Sequence, residues 1–202
     1  MKKLFLLISF IICGLSTLSA DEYVVTKFKC IAADGLYERE IDLKYDDKEN
    51  VYYLFSSSYS TAHWFVLTPD KLEKLRSNLQ KVQDWSKLAK ENKSSISKEL
   101  PDSKINIEGI MLTNNDWYTT RWDIPLNFFF VSQINEGVEI ITLLIRGEAV
   151  ESRQNEFIDI EFDSIIFINN QIDEFINAIS SETIETGKNN HKEQKKAAEM
   201  FN

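Results

Sequence analysis

Cysteine is nearly missing from this chain. Only Cys13 and Cys30 occur in 202 residues. Cys13 falls in the leader described below, so the working protein keeps one thiol. It can form no internal disulfide and no cysteine-bound zinc site. Cys30 alternates in line with Val24, Phe28 and Ala32 and reads as a buried small hydrophobe. A thiol bridging two chains is the sharper alternative. Histidine is equally scarce, with only His63 and His191. No His-x-x-His or Cys-x-x-Cys spacing exists, so no metal ligand set is predicted. The sequence implies no cofactor and selects no catalytic residue. It has no Gly-x-Ser-x-Gly elbow and no glycine-rich phosphate loop. Nothing singles out a Cys–His pair, or any two of its 32 acids for glycoside cleavage.

Positive charge is also short. Lys and Arg number 23 against 32 Asp and Glu, a net charge of −9. Such a field argues against nucleic acid or anionic lipid as a partner. With 6 glycines and 3 prolines the chain is not low in complexity. Past the first twenty residues no apolar run is long enough to span a bilayer.

Those first twenty residues have their own pattern. Lys2 and Lys3 precede the apolar run Leu4–Ile12, and small or mildly polar residues lead to Ala20. A positive start, an apolar middle and a small residue before the cut predict a signal peptide over 1–20 and a secreted or periplasmic protein. An uncut N-terminal anchor and a lipid-modified Cys13 are the alternatives. The bulk of Ile12 speaks against the second. Removing residues 1–20 takes away two lysines and no acid, so the net charge moves from −9 to −11.

The region from Val24 to Leu67 alternates with period two. Tyr37, Ile41, Leu43 and Tyr45 share one face, and Glu38, Glu40, Asp42 and Lys44 the other. This is the pattern of strands with one wet side. A helix is then announced by Thr68 as cap, Pro69 in the first turn and Asp70 at the positive end of the dipole. Leu72, Leu75, Leu79, Val82, Trp85 and Leu88 follow at helical spacing. Residues 91–104 are polar, contain Pro101 and read as a connector. Strand signals resume at 105–112, 117–122, 126–132, 139–148 and 156–168. A shorter helix follows, with Asn169 as its cap and Ile172, Phe175, Ile176 and Ile179 on its apolar face. Residues 182–202 lose the pattern and read as a flexible or frayed helical tail.

The expected fold class is therefore α+β. An antiparallel sheet carries one long and one shorter amphipathic helix in a single domain, 21–181. The halves 22–93 and 104–181 are candidates for two ββββα repeats. Over residues 22–180 this plan resembles the architecture of the whirly family, which binds single-stranded DNA. The resemblance is topological: no motif of that family is present, and none of its functional residues maps onto this chain.

Two segments invite a functional reading. Asp159, Glu161 and Asp163 share a strand face, which is either solvated or a weak calcium site. The richer segment is Asp116–Asp123. Its rings, with Arg121, can stack on a sugar, a base or a partner's side chain. Trp117, Arg121 and Trp122 are the candidate ligand-binding residues. The expected function is a non-catalytic binding module of the cell envelope, with a protein, small-molecule or glycan partner and its oligomeric state left open. A carboxylate-dependent hydrolase and a single-stranded nucleic-acid binder are the alternatives.

Overall fold

The computed structural model describes residues 22–32, 37–57 and 61–200. The leader 1–20 lies outside the described residues. The chain runs β1 (Glu22–Ala32), β2 (Glu38–Asp46), β3 (Val51–Ser57), β4 (Thr61–Leu67) and α1 (Pro69–Glu91). Next come β5 (Ile96–Glu99), β6 (Ile105–Thr113), β7 (Asp116–Thr119), β8 (Ile124–Asn135) and β9 (Val138–Gly147). It ends with β10 (Val150–Glu151), β11 (Asp159–Ile160), β12 (Ile165–Ile168), α2 (Asn170–Ala178) and α3 (Ser181–Glu199).

The expected α+β sheet with two helices is overturned. The protein is mostly β, built on a closed eight-stranded antiparallel barrel with three helices. The strands β1, β2, β3, β4, β6, β8, β9 and β12 pair in that order. The ring closes where Ile31 meets Ile166 and where Ile105 meets Leu126. Alternation alone cannot reveal closure. An open sheet under a helix and a barrel both need one apolar and one polar face on each strand.

The apolar face turns inward. On β8, Ile124, Leu126, Phe128 and Phe130 are buried in alternation, and Leu143, Ile145 and Phe167 pack beside them. Outward positions on β2 carry Glu38, Glu40, Asp42 and Lys44. On β2 this polarity is the reverse of that of a lipid-facing strand. Among the described residues no helix is long and apolar enough to cross a membrane.

The helices cover the inward-facing side chains. α1 lies against β3, β4, β6, β8 and β9, and α2 against β1 and β12. Trp85 of α1 meets Phe130 edge-on at 5.7 Å. Phe175 of α2 stacks on Phe167 at 4.4 Å and tilts against Phe28 at 4.6 Å. The Arg76 Nε donates to the Ile179 carbonyl at 2.6 Å and ties α1 to the end of α2.

Three local readings change. Even positions do not all face inward on β1, because a bulge between Val24 and Thr26 shifts the register. Tyr23 and Val25 are buried before it, Phe28 and Cys30 after it. The strand expected over 156–168 is two short pieces, Asp159–Ile160 and Ile165–Ile168. Asn169 caps nothing with its side chain, which accepts the Ile141 amide at 2.8 Å instead. The expected flexible or frayed helical tail forms a helix over residues 181–199. Its first turns are held against β1 by Ile184, and every described residue past His191 is exposed.

Candidate functional site

The segment with the candidate aromatics begins at a hairpin. Thr113 pairs with Asp116, leaving a two-residue loop. Asn114 and Asn115 both take positive φ, 50° and 66°. That is a type I′ turn, and asparagine is one of the few residues that accept it. β7 returns along β6 and then joins the two-stranded β10–β11 ribbon. The Arg121 amide donates to the Glu151 carbonyl, and the Arg153 amide to the Thr119 carbonyl, both at 2.8 Å. The bridge Thr120–Ser152 lies between them, and both residues are fully buried. Thr120 Oγ1 accepts the Gly109 amide at 3.1 Å. A Cβ on Gly109 would sit 3.0 Å from Ile124 Cδ1, so the glycine lets this flap approach the barrel closely.

The three candidates take three different positions. Trp117 is half-buried on the barrel's outer wall, 5.1 Å from Trp64. Phe55 continues that row at 4.9 Å from Trp64. The Lys44 ammonium sits 3.6 Å over the Phe55 ring and pairs with Glu22 at 2.8 Å. Glu22 Oε1 also accepts the Trp64 indole N–H at 3.4 Å, while its Oε2 is buried without a hydrogen-bond partner. Trp117 is thus one member of a packed aromatic wall. Arg121 is exposed and held across the flap by Glu151 at 3.0 Å. Trp122 stands free, 71% exposed.

A fourth residue of this surface was not legible as such. Phe157 is 90% exposed, the most open of the large apolar side chains among the described residues. Its turn is tied at several points. Ser152 Oγ accepts the Asn155 amide at 2.9 Å, and Asn155 Oδ1 accepts the Phe157 amide at 3.0 Å. Gln154 Oε1 accepts the Thr119 amide at 2.8 Å. The available signal was a lone aromatic ending the polar run Ser152–Glu156.

Cys30 on β1 and His63 on β4 are two further chemistry-bearing groups. Cys30 is buried and gives its thiol hydrogen to the Arg39 carbonyl at 3.7 Å. Burial pushes the thiol up to about 11, against the opposing pull of Arg39. It therefore stays protonated near neutral pH and is a poor nucleophile. Burial holds the His63 imidazole below its ordinary range; Asp163 opposes this and Arg39 adds to it. Arg39 binds Asp163 at 2.6 Å, so one acid of the expected Asp159–Asp163 face is already neutralised. Among the described residues, no three His, Cys, Asp or Glu side chains are grouped to hold a metal.

No family description, curated relative or solved structure matches this chain.

Proposed function

We propose that this protein is an exported, non-catalytic binding module. Its flap presents Trp122 and Phe157 to a protein or glycan partner. The observation that carries the reading is the exposure of Phe157, 90%, on a turn fixed by its own hydrogen bonds. A large ring held in water exposes apolar area that folding does not use. A fixed turn also reduces the ordering cost of binding. Aromatic side chains with these properties dominate interface energetics. The export half of the proposal rests on the pattern of residues 1–20.

The test is a glycan array and a cross-linked envelope extract, each probed with the wild-type protein and with Phe157→Ala and Trp122→Ala. Both variants should melt with the wild type, because neither ring supports the core. Both should lose the captured species by about tenfold or more, the effect of truncating an interface anchor. Trp117→Ala should instead lower the melting temperature. Capture unchanged by both exposed-ring variants would overturn the proposal.

A further inference from the structure

Charge is divided unevenly along this chain. Residues 105–187 hold 15 acids, three arginines and no lysine. The remaining residues hold 20 lysines and arginines against 17 acids. The acidity of the molecule therefore belongs to one stretch, and the flap lies inside it. Over 116–123 and 148–161 the flap carries seven acids, two arginines and no lysine.

Both arginines are already paired. Arg121 bonds Glu151 at 3.0 Å, and Arg153 bonds Glu108 of β6 at 3.4 Å. The one lysine that reaches the flap, Lys71 of α1, lies 3.6 Å from Asp123. Glu156, Asp159 and Glu161 are exposed, and among the described residues none of them has an ion pair. The ribbon sharpens the imbalance. It sets Glu151 directly opposite Asp159, and like charges so placed repel. Arg121 neutralises Glu151 and leaves Asp159 without a cation. Ile160 is buried between Asp159 and Glu161, so both acids turn to the wet side.

The two free rings stand beside these acids. Phe157 follows Glu156 directly and lies two residues before Asp159. Trp122 follows Arg121, the partner of Glu151. The face of an aromatic ring attracts a cation, and carboxylates next to it add to that attraction. With no free cation of its own, the flap favours a positive partner and repels an acidic one. A neutral sugar would use the rings and leave the acids unmatched. A second copy presenting the same flap would set acid against acid. We propose, on the reading that the flap is the binding surface, that its occupant is a basic segment of a partner protein. Arg or Lys side chains of that segment lie over Trp122 and Phe157 and pair with Glu156, Asp159 and Glu161. Arg is preferred to Lys, because its planar guanidinium can stack on a ring and pair with a carboxylate at once.

The probe is a set of fluorescent nonapeptides carrying Arg, Lys or Glu at three places among Gly, Ser and Ala, read by anisotropy. Arg peptides should bind, Lys peptides should bind more weakly and Glu peptides should not bind. Added salt should weaken the binding. Glu156→Gln, Asp159→Asn and Glu161→Gln together should weaken it about tenfold. Glu136→Gln, Glu139→Gln and Glu193→Gln together remove the same charge from exposed positions elsewhere and should leave it unchanged. Phe157→Leu and Trp122→Leu keep apolar bulk but lose the ring face, and each should weaken it about threefold. The proposal fails if no Arg peptide binds at millimolar concentration, or if the distant triple variant weakens binding as much as the flap triple variant. It also fails if the species whose capture depends on Phe157 is a neutral glycan, a result that keeps the flap as the binding surface. Absence of any capture that depends on Phe157 or Trp122 would overturn the flap itself, and this inference with it.

Discussion

His63 shares the inward face of β4 with Phe65 and Leu67, and its ring lies 5.8 Å from Phe65. Burial favours the neutral imidazole, so the folded protein takes up this proton at lower pH than the unfolded chain does. The sign follows. Stability is full above the unfolded value of about 6.5 and falls as pH drops from there toward the folded value. Urea midpoints at pH 7.5 and 5.5 should therefore differ more in the wild type than in His63→Gln. Equal slopes would show that the folded barrel tolerates the charged ring. Cys30 on the same inward surface titrates far above this window and adds nothing to the slope.

α3 is seated on β1 through a missing side chain. A Cβ at Gly187 would lie 2.1 Å from the Val25 carbonyl oxygen, beside the β1 bulge. Alanine raises helix propensity by about 1 kcal/mol. Overpacking against backbone that cannot turn aside costs about 1–3 kcal/mol, so the clash wins. Gly187→Ala should lower the urea midpoint by the equivalent of about 1 kcal/mol, the middle of that difference. It should also loosen the His191 ring from Tyr23, now stacked at 3.6 Å. A midpoint equal to or above the wild type would mean that α3 is not seated there. The elements differ in how far they could be read beforehand. α1 was legible because Leu72, Leu75, Leu79 and Val82 meet the core at the spacing that marks a helix. α3 was legible only as a frayed helical tail, because it buries one residue, Ile184, meets β1 through a glycine and reaches β2 and β3 through Lys188. The Lys188 ammonium sits 3.6 Å over the Tyr45 ring and donates to the Tyr52 hydroxyl at 2.8 Å. β5 was hidden because an edge strand exposed all round shows no alternation. In the candidate site, Trp117, Arg121 and Trp122 were found as a segment. Their separation into wall, brace and free ring depends on Trp64 and Glu151, which are distant in sequence.

At the scale of the whole molecule, closure joins the two ends of the sequence. Ile31 pairs with Ile166, so the barrel depends on a contact across most of the chain. Each such contact needs a large loop to close before it can stabilise anything. Folding should be slow, in milliseconds to seconds or longer, and unfolding should be cooperative. Urea transitions followed by tryptophan fluorescence and by far-UV circular dichroism should coincide. A fluorescence change that precedes the loss of strand signal would show that the aromatic wall opens separately.

The seat of α3 on β1 also sets an order in time. Tyr23 stacks on His191, and Val25 lies against Gly187. The earliest described strand is thus covered by the latest described helix. While the chain is being made, β1 waits without that cover until α3 has followed. The placement of one helix acts as a delay on completing this side of the barrel.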